Sequence, residues 1–222
     1  MLPLLHDLAG ERVLVVGGGP VAARKARHFA AEATVVVFAR AFEDTGAFPD
    51  GAALVRVALA PAGLAPWLAR VEPALVVAAT DDEGLNEAIA AAGRDAGALV
   101  NRADRGADRG GDPGDVAVPA TTRAGDVVIG VGTNGRSPAL AGYLRERVEE
   151  AVGELEHAEE MAALTGELRA ELHEGGLAAA ERHAAIRAVV RSREVWTAFH
   201  TPGANSREIA ADVISDVTGD SP

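Results

Sequence analysis

The stretch that most restricts what this chain can fold into is Val13 to Glu32, VLVVGGGPVAARKARHFAAE. Four apolar residues run into Gly17-Gly18-Gly19 and then directly into an alanine-rich segment with helical spacing. That is the pattern of a buried parallel strand turning into a helix. Gly17 and Gly19 fall on the first and second positions of a dinucleotide fingerprint, and Ala22 takes the third. Gly17 permits the tight turn, Gly19 lets backbone N–H groups approach a pyrophosphate with no Cβ in the way, and Ala22 allows helix and sheet to come close. The helix N-terminus supplies partial positive charge, and Pro20 suits the first turn, where its missing N–H would be unpaired anyway. The fingerprint positions a cofactor without choosing a substrate, and glycine turns before helices serve α/β proteins of many kinds.

The pattern continues in kind. Strands are predicted at about Arg12 to Val16, Ala33 to Ala39, Leu54 to Ala58, Leu75 to Ala79 and Ala98 to Asn101, with helices from Pro20 to about Glu32, near Pro61 to Val71, and after Thr80-Asp81-Asp82, where either Thr80 or Asp81 can be the cap. Alternating strands and helices argue for an α/β fold of the Rossmann type, a doubly wound parallel sheet. After Asn101 the chain breaks into RADRGADRGGDPGD, an exposed loop. Val116 to Pro119 and Asp126 to Val131 then read as a pair of strands at the sheet edge, and Ser137-Pro138 in GTNGRSP as N-cap and first residue of a helix. Helices follow at roughly 139 to 152, 154 to 174, 177 to 200 and 205 to 217, broken at Gly153, Gly175-Gly176 and Thr201-Pro202-Gly203. The expected organisation is a nucleotide-binding domain over 1–112, a small central segment over 113–150 and an all-helical domain over 151–222.

Charge and composition bound the function. The net charge is −12, and residues 150 to 222 carry 6 basic against 14 acidic groups, a surface that repels phosphates and disfavours nucleic acid as a partner. There is no Cys, which removes disulfides, thiolate metal sites and a Cys nucleophile together. No apolar run approaches the roughly 20 residues of a membrane span and no charged-then-apolar leader opens the chain, so no membrane partner and a cytoplasmic home are expected. The six histidines show no metal-ligand spacing, and no metal site is expected. Lys25 is the one lysine, which together with the acidity fits either a salt-adapted, GC-rich source or plain composition bias.

Four motifs stand in one order and spacing: LPLLHDLAGERVLVVGGGPVAARKA, VVAATDDEGLN, LVNRAD and GTNGRSPALAGYLRERVE. Together they resemble the precorrin-2 dehydrogenase family, the stand-alone counterpart of the N-terminal half of siroheme synthase. The resemblance is close over about residues 1 to 150, while the helical remainder is similar in length and character. It implies NAD-dependent oxidation of precorrin-2 to sirohydrochlorin, a tetrapyrrole substrate, and a homodimer in which the central segment exchanges across the two-fold axis. Carried over by position, Gly17, Gly19, Pro20 and Val21 would hold the dinucleotide phosphates and Arg40 and Ala41 would flank the adenosine ribose. Thr80 and Asp81 would border the crevice. Asp104 falls on the family's catalytic aspartate and Asn101 and Ser137 on the substrate side. A carboxylate at that point could accept the proton released with the hydride, or orient the macrocycle.

Each of these residues has a plainer role open to it. Asp104 can be a turn residue in an Asp-rich loop, Ser137 a simple N-cap, and Asn101, like Asn86, a partner for backbone groups. An acid for the ribose hydroxyls is often found about 20 residues past the first glycine, where this chain has Ala39-Arg40-Ala41, so Arg40 could pair with a 2′-phosphate and admit NADP. Arg102, Arg105 and Arg109 could contact the eight carboxylates of the substrate, or pair with Asp108, Asp112 and Asp115 and keep the loop hydrated. Two other functions stay open at this point: a bifunctional enzyme that also inserts iron, and a non-catalytic dinucleotide sensor.

Overall fold

The structure, a computed structural model, describes residues 3–105, 112, 114–151 and 157–219. The chain groups into two compact units: Met1–Val118 with Thr133–Ser137, and Pro119–Gly132 with Pro138–Pro222.

The first unit is built on five parallel strands, β1 (Arg12–Val16), β2 (Thr34–Ala39), β3 (Ala53–Arg56), β4 (Leu75–Ala78) and β5 (Leu99–Arg102), in the order β3-β2-β1-β4-β5. Helices α1 (Pro20–Phe29), α2 (Leu64–Val71) and α3 (Glu83–Asp95) connect them. Strand alternation divides the core into two layers. Val13, Val15, Val35, Val37, Leu75 and Val77 pack with Ala22, Ala26 and Phe29 of α1. Leu14, Val16, Phe38, Val76 and Ala78 pack with Leu64, Leu68 and Ile89 of α2 and α3. Because both faces are covered, the strands read as continuous apolar runs, and each fully buried Val, Leu or Phe contributes about 1.5–3 kcal/mol. Gly93 lets α3 lie close to the sheet, since a Cβ there would come within 3.1 Å of Val100 and 3.3 Å of Val76.

The register aligns Val16 with Phe38 and Ala78, and Ala78 with Arg102. The strand ends therefore form one carboxyl edge. Thr80 lies two residues beyond Ala78, and Asp104 two beyond Arg102. The order reverses between β1 and β4, which makes the crevice above them the switch point where open α/β sheets bind ligands.

The second unit holds the antiparallel hairpin β6 (Ala120–Ala124) and β7 (Val127–Val131), followed by α4 (Pro138–Ala151), α5 (Ala158–Glu174), α6 (Ala179–Arg191), α7 (Arg193–His200) and α8 (Ser206–Thr218). Its core is Met161, Leu164, Leu168, Ala185, Val189, Val195, Ala210 and Ile214.

The sequence pattern misleads in two places. The pair of strands expected at the sheet edge is a separate two-stranded sheet, and Val116 to Pro119 is no strand at all. Asp115 alone bridges to Val100 beside β5. The helix expected over 177 to 200 is two helices, because Ser192 leaves the helical conformation at ψ 120° and its hydroxyl accepts a hydrogen bond from the Val195 N–H at 3.3 Å, starting α7.

Candidate active site

A cavity of about 1120 Å³ opens along the carboxyl edge, and Gly17, Gly19, Pro20, Val21, Arg40, Ala41, Thr80 and Asp81 all line it. Gly17 turns the chain at φ 145°, where a Cβ would sit 2.3 Å from the Ala79 carbonyl oxygen. Gly18, which no fingerprint position singles out, is tighter: a Cβ there would lie 1.9 Å from the Ala41 carbonyl oxygen. The Glu43 N–H donates to the Gly18 carbonyl at 3.1 Å, so the turn after β1 and the loop after β2 are locked together.

Two helices begin at this cavity, and their N-termini differ. The α3 terminus is closed: Asp82 accepts from the Leu85 N–H at 2.9 Å, and Glu83 adds negative charge in the first turn. The α1 terminus is open: its N-cap is Gly19, with no side-chain cap and no acid in the first turn. The glycine turn therefore presents first-turn N–H groups and partial positive charge to the cavity with no capping side chain or acid of its own helix to offset them. That is what a pyrophosphate requires, so the residues present fit a dinucleotide. Glu43 also lines the cavity, with its carboxylate oxygen 3.0 Å from the position of a Gly19 Cβ. The sequence reading missed this acid because it lies four residues past the strand end, not at the expected offset. With Arg40 beside it on the cavity wall, the charge there is mixed.

Asp104, Asn101 and Ser137 lie outside the cavity lining. Asp104 is bound by Arg102 in a two-pronged pair, Nε donating to Oδ1 at 2.8 Å and Nη2 to Oδ2 at 2.7 Å. The Arg102 side chain is 4% exposed, against 25% for Asp104, and its remaining prong, Nη1, donates to Glu87 of α3 at 2.6 Å. Arg102 faces α3 because it shares a strand face with Val100, Val76 and Ala78. The Arg102 hydrogen bonds hold the Asp104 carboxyl below its ordinary pKa; partial burial opposes this, and the Asn86 amide adds to it. The guanidinium is itself held above its ordinary value, first by the bond to Asp104.

Asn86, 1% exposed, fastens the cavity loop. Its Oδ1 accepts from the Thr80 N–H at 3.0 Å and the Thr80 hydroxyl at 2.7 Å, and its Nδ2 donates to the Thr80 carbonyl at 3.0 Å. The Asn86 amide also helps hold the Asp104 carboxyl below its ordinary pKa, so one residue of α3 bears on both the cavity loop and the carboxylate. Asn101 donates through Nδ2 to the Val116 carbonyl at 2.8 Å, while its buried Oδ1 has no partner among the described residues. Ser137 ends a short loop whose backbone closes on the Thr133 hydroxyl, with 3.2 Å to the Ser137 N–H and 3.0 Å to its carbonyl.

Among its described residues, the arginine-rich loop does not make the pairings with Asp112 and Asp115 that the sequence offered as one alternative. Arg102 pairs with Glu87 and Asp104, and Arg105 with Glu87 at 2.6 Å. Asp112 and Asp115 pair instead with Arg94 of α3, at 3.0 and 2.8 Å. Arg109 and Asp108 lie outside the described residues. A β-strand position that must be buried and yet holds Arg was the signal for the Glu87 partner, because a buried guanidinium needs its donors paired.

A family model described as "Putative NAD(P)-binding" matches residues 4–120. A precorrin-2 dehydrogenase of Methanosarcina barkeri is 32% identical over 219 residues, covering 96% of this chain and 93% of that protein. A siroheme synthase of Pseudomonas putida strain F1 is 38% identical over 165 residues, 69% of this chain but 33% of its own length. The solved structure of the precorrin-2 dehydrogenase SirC superposes with a TM-score of 0.65 over 97% of this chain and all of its own, at 21% identity, which supports the fold. The similarity to the Methanosarcina protein runs through both units, beyond the nucleotide-binding half, and the chain therefore belongs to the precorrin-2 dehydrogenase family.

Proposed function

We propose that the protein oxidises precorrin-2 to sirohydrochlorin with NAD, in the cytoplasm and as a homodimer. The observation that carries the reading is similarity over nearly the whole length of a precorrin-2 dehydrogenase, combined with an uncapped helix N-terminus at the glycine turn of the cavity. In this reaction the macrocycle loses two hydrogens, one as hydride to the nicotinamide ring and one as a proton, giving NADH and sirohydrochlorin.

Gly17, Gly19, Pro20 and Val21 hold the phosphates in this reading, Arg40 and Ala41 flank the ribose, and Thr80 and Asp81 border the nicotinamide end. Asp104 stands beside the substrate, with Asn101 and Ser137 on the same side. Its lowered pKa makes it a weak proton acceptor but a fully ionised carboxylate at neutral pH. Departure of hydride leaves positive charge on the macrocycle, and a fixed negative group there stabilises it. The dimer contact falls to the central segment 113–150, where Leu140, Tyr143 and Leu144 of α4 are exposed at 47%, 57% and 39%.

The test is direct. Purified protein given precorrin-2 and NAD is expected to produce NADH and sirohydrochlorin in equal amounts, and absence of both, with a homologue active under the same salt conditions, refutes the assignment. Asp104→Asn is expected to reduce kcat by about 100-fold or more while NAD affinity is kept. Loss of NAD affinity instead would make the residue structural.

A further inference from the structure

Arg102 is the odd member of β5. Val100 and Asn101 are buried as strand residues of a parallel sheet should be, yet the next position carries a guanidinium at 5% exposure. Burying a cation costs several kcal/mol unless every donor direction is answered. Here each of the three prongs finds a carboxylate oxygen: Nε and Nη2 meet the two oxygens of Asp104, and Nη1 meets Glu87. Glu87 also receives Arg105. Asp104, on a loop just past the strand, thus has its position and the plane of its carboxylate set from below. A surface ion pair would not do this, because exposed pairs exchange partners freely. The fork of a guanidinium matches the two oxygens of a carboxylate, and an ammonium can face one at a time.

We propose that Arg102 is a positioning residue for the reaction: its guanidinium, held from behind by Glu87 of α3, fixes the orientation of Asp104 at the carboxyl edge of the sheet. This rests on the reading of Asp104 as the group beside the substrate. Arg102 itself is too buried to reach a ligand. It acts through the carboxylate, and α3 carries the anchor one residue away from Asn86, which fastens the Thr80 loop. The cavity wall and the reacting carboxylate are therefore referenced to the same turn of one helix.

The groups that bear on Asp104 are Arg102 from β5 and Asn86 from α3, with Glu87 acting through Arg102 and Arg105 through Glu87. Replacing Arg102 by Gln removes the cation and leaves Glu87 nearby, so the Asp104 carboxyl titrates closer to its ordinary range. The acid limb of the kcat profile is expected to move to higher pH. Arg102→Lys keeps the charge and loses the fork. It is expected to lower kcat about tenfold or more, with the NAD dissociation constant within twofold of wild type. A purely structural role would lower Tm in both variants and leave the acid limb in place. Should both Arg102 variants fail to fold, Glu87→Gln decides, because Glu87 is half exposed and its loss leaves Arg102 paired to Asp104. That variant is expected to lower kcat severalfold, and wild-type kcat in it overturns the proposal. Arg102→Lys that folds and keeps kcat within twofold overturns it as well. Asp104→Asn separates the two levels. Wild-type turnover in that variant removes the reading of Asp104 and this inference with it, whereas an inactive Asp104→Asn beside a fully active Arg102→Lys removes the inference alone.

Discussion

Three consecutive glycines do three different jobs, and they can be told apart by adding one methyl group to each of two. At Gly18 a Cβ would lie 1.9 Å from a backbone oxygen of Ala41, and backbone cannot yield as a side chain can. Gly18→Ala is expected to force the loop after β2 away from the turn, costing about 1–3 kcal/mol and several degrees of Tm, with NAD affinity falling in consequence. At Gly19 the nearest atom is the end of the flexible Glu43 side chain at 3.0 Å. Gly19→Ala is expected to leave Tm nearly unchanged and weaken NAD binding about tenfold or more, since the methyl occupies the approach to the uncapped N–H groups. Thermal melts paired with NADH fluorescence titrations distinguish the two, and equal Tm losses would refute the division of labour. The fingerprint marks Gly17 for its turn at φ 145° and Gly19 for the approach at the helix N-terminus, both local features, although a Cβ at Gly17 would also meet the distant Ala79 carbonyl oxygen. The role of Gly18 depends on a carbonyl 23 positions further along the chain, which no local pattern contains. Arg102 shows the same limit: its place in LVNRAD marks it as neighbour to Asp104, but its burial and its bond to Glu87 exist only once α3 has folded onto β5.

Helices and strands of the first unit were legible because their apolar runs are both continuous and bounded, and their alternation with helices marks the sheet as parallel, though not its strand order. Of the hairpin only β7 was legible: β6 lies at Ala120–Ala124, just past the Val116 to Pro119 expected, and period-two alternation does not state which sheet a strand joins. The break between α6 and α7 was missed for want of a Gly or Pro. Ser192 makes it by capping, and its hydroxyl also donates to Glu194 at 2.8 Å. Ser192→Ala is expected to cost about 1 kcal/mol, seen as earlier loss of helical circular dichroism on heating, and an unchanged melt would mean that packing of Val189 and Val195 alone sets the break. The contrast between α1 and α3 is of the same kind. The sequence offered Thr80 or Asp81 as the cap of α3, and the structure gives that role to Asp82, whose carboxylate reaches the Leu85 N–H, while α1 starts with no side-chain cap.

At the scale of the whole molecule, the homodimer proposed above would form through the second unit. Leu140, Tyr143 and Leu144 lie at helical spacing on α4, and exposed apolar side chains grouped in this way mark contact surfaces. Leu144→Glu is expected to shift the mass measured by light scattering from dimer to monomer, and a wild-type protein that is already monomeric would remove the proposed assembly. The first unit faces the opposite problem, for a parallel sheet ends in two strands whose outer hydrogen-bonding groups invite other chains. Beside β5 the returning chain meets that need: the Val100 N–H donates to the Gly114 carbonyl at 2.9 Å, and the Val116 N–H to the Val100 carbonyl at 2.8 Å. Arg94 clamps this segment through Asp115 and Asp112. The bridge around Asp115 therefore also acts as a guard against aggregation, filling at Val100 the place where a sixth strand from another molecule would begin to pair.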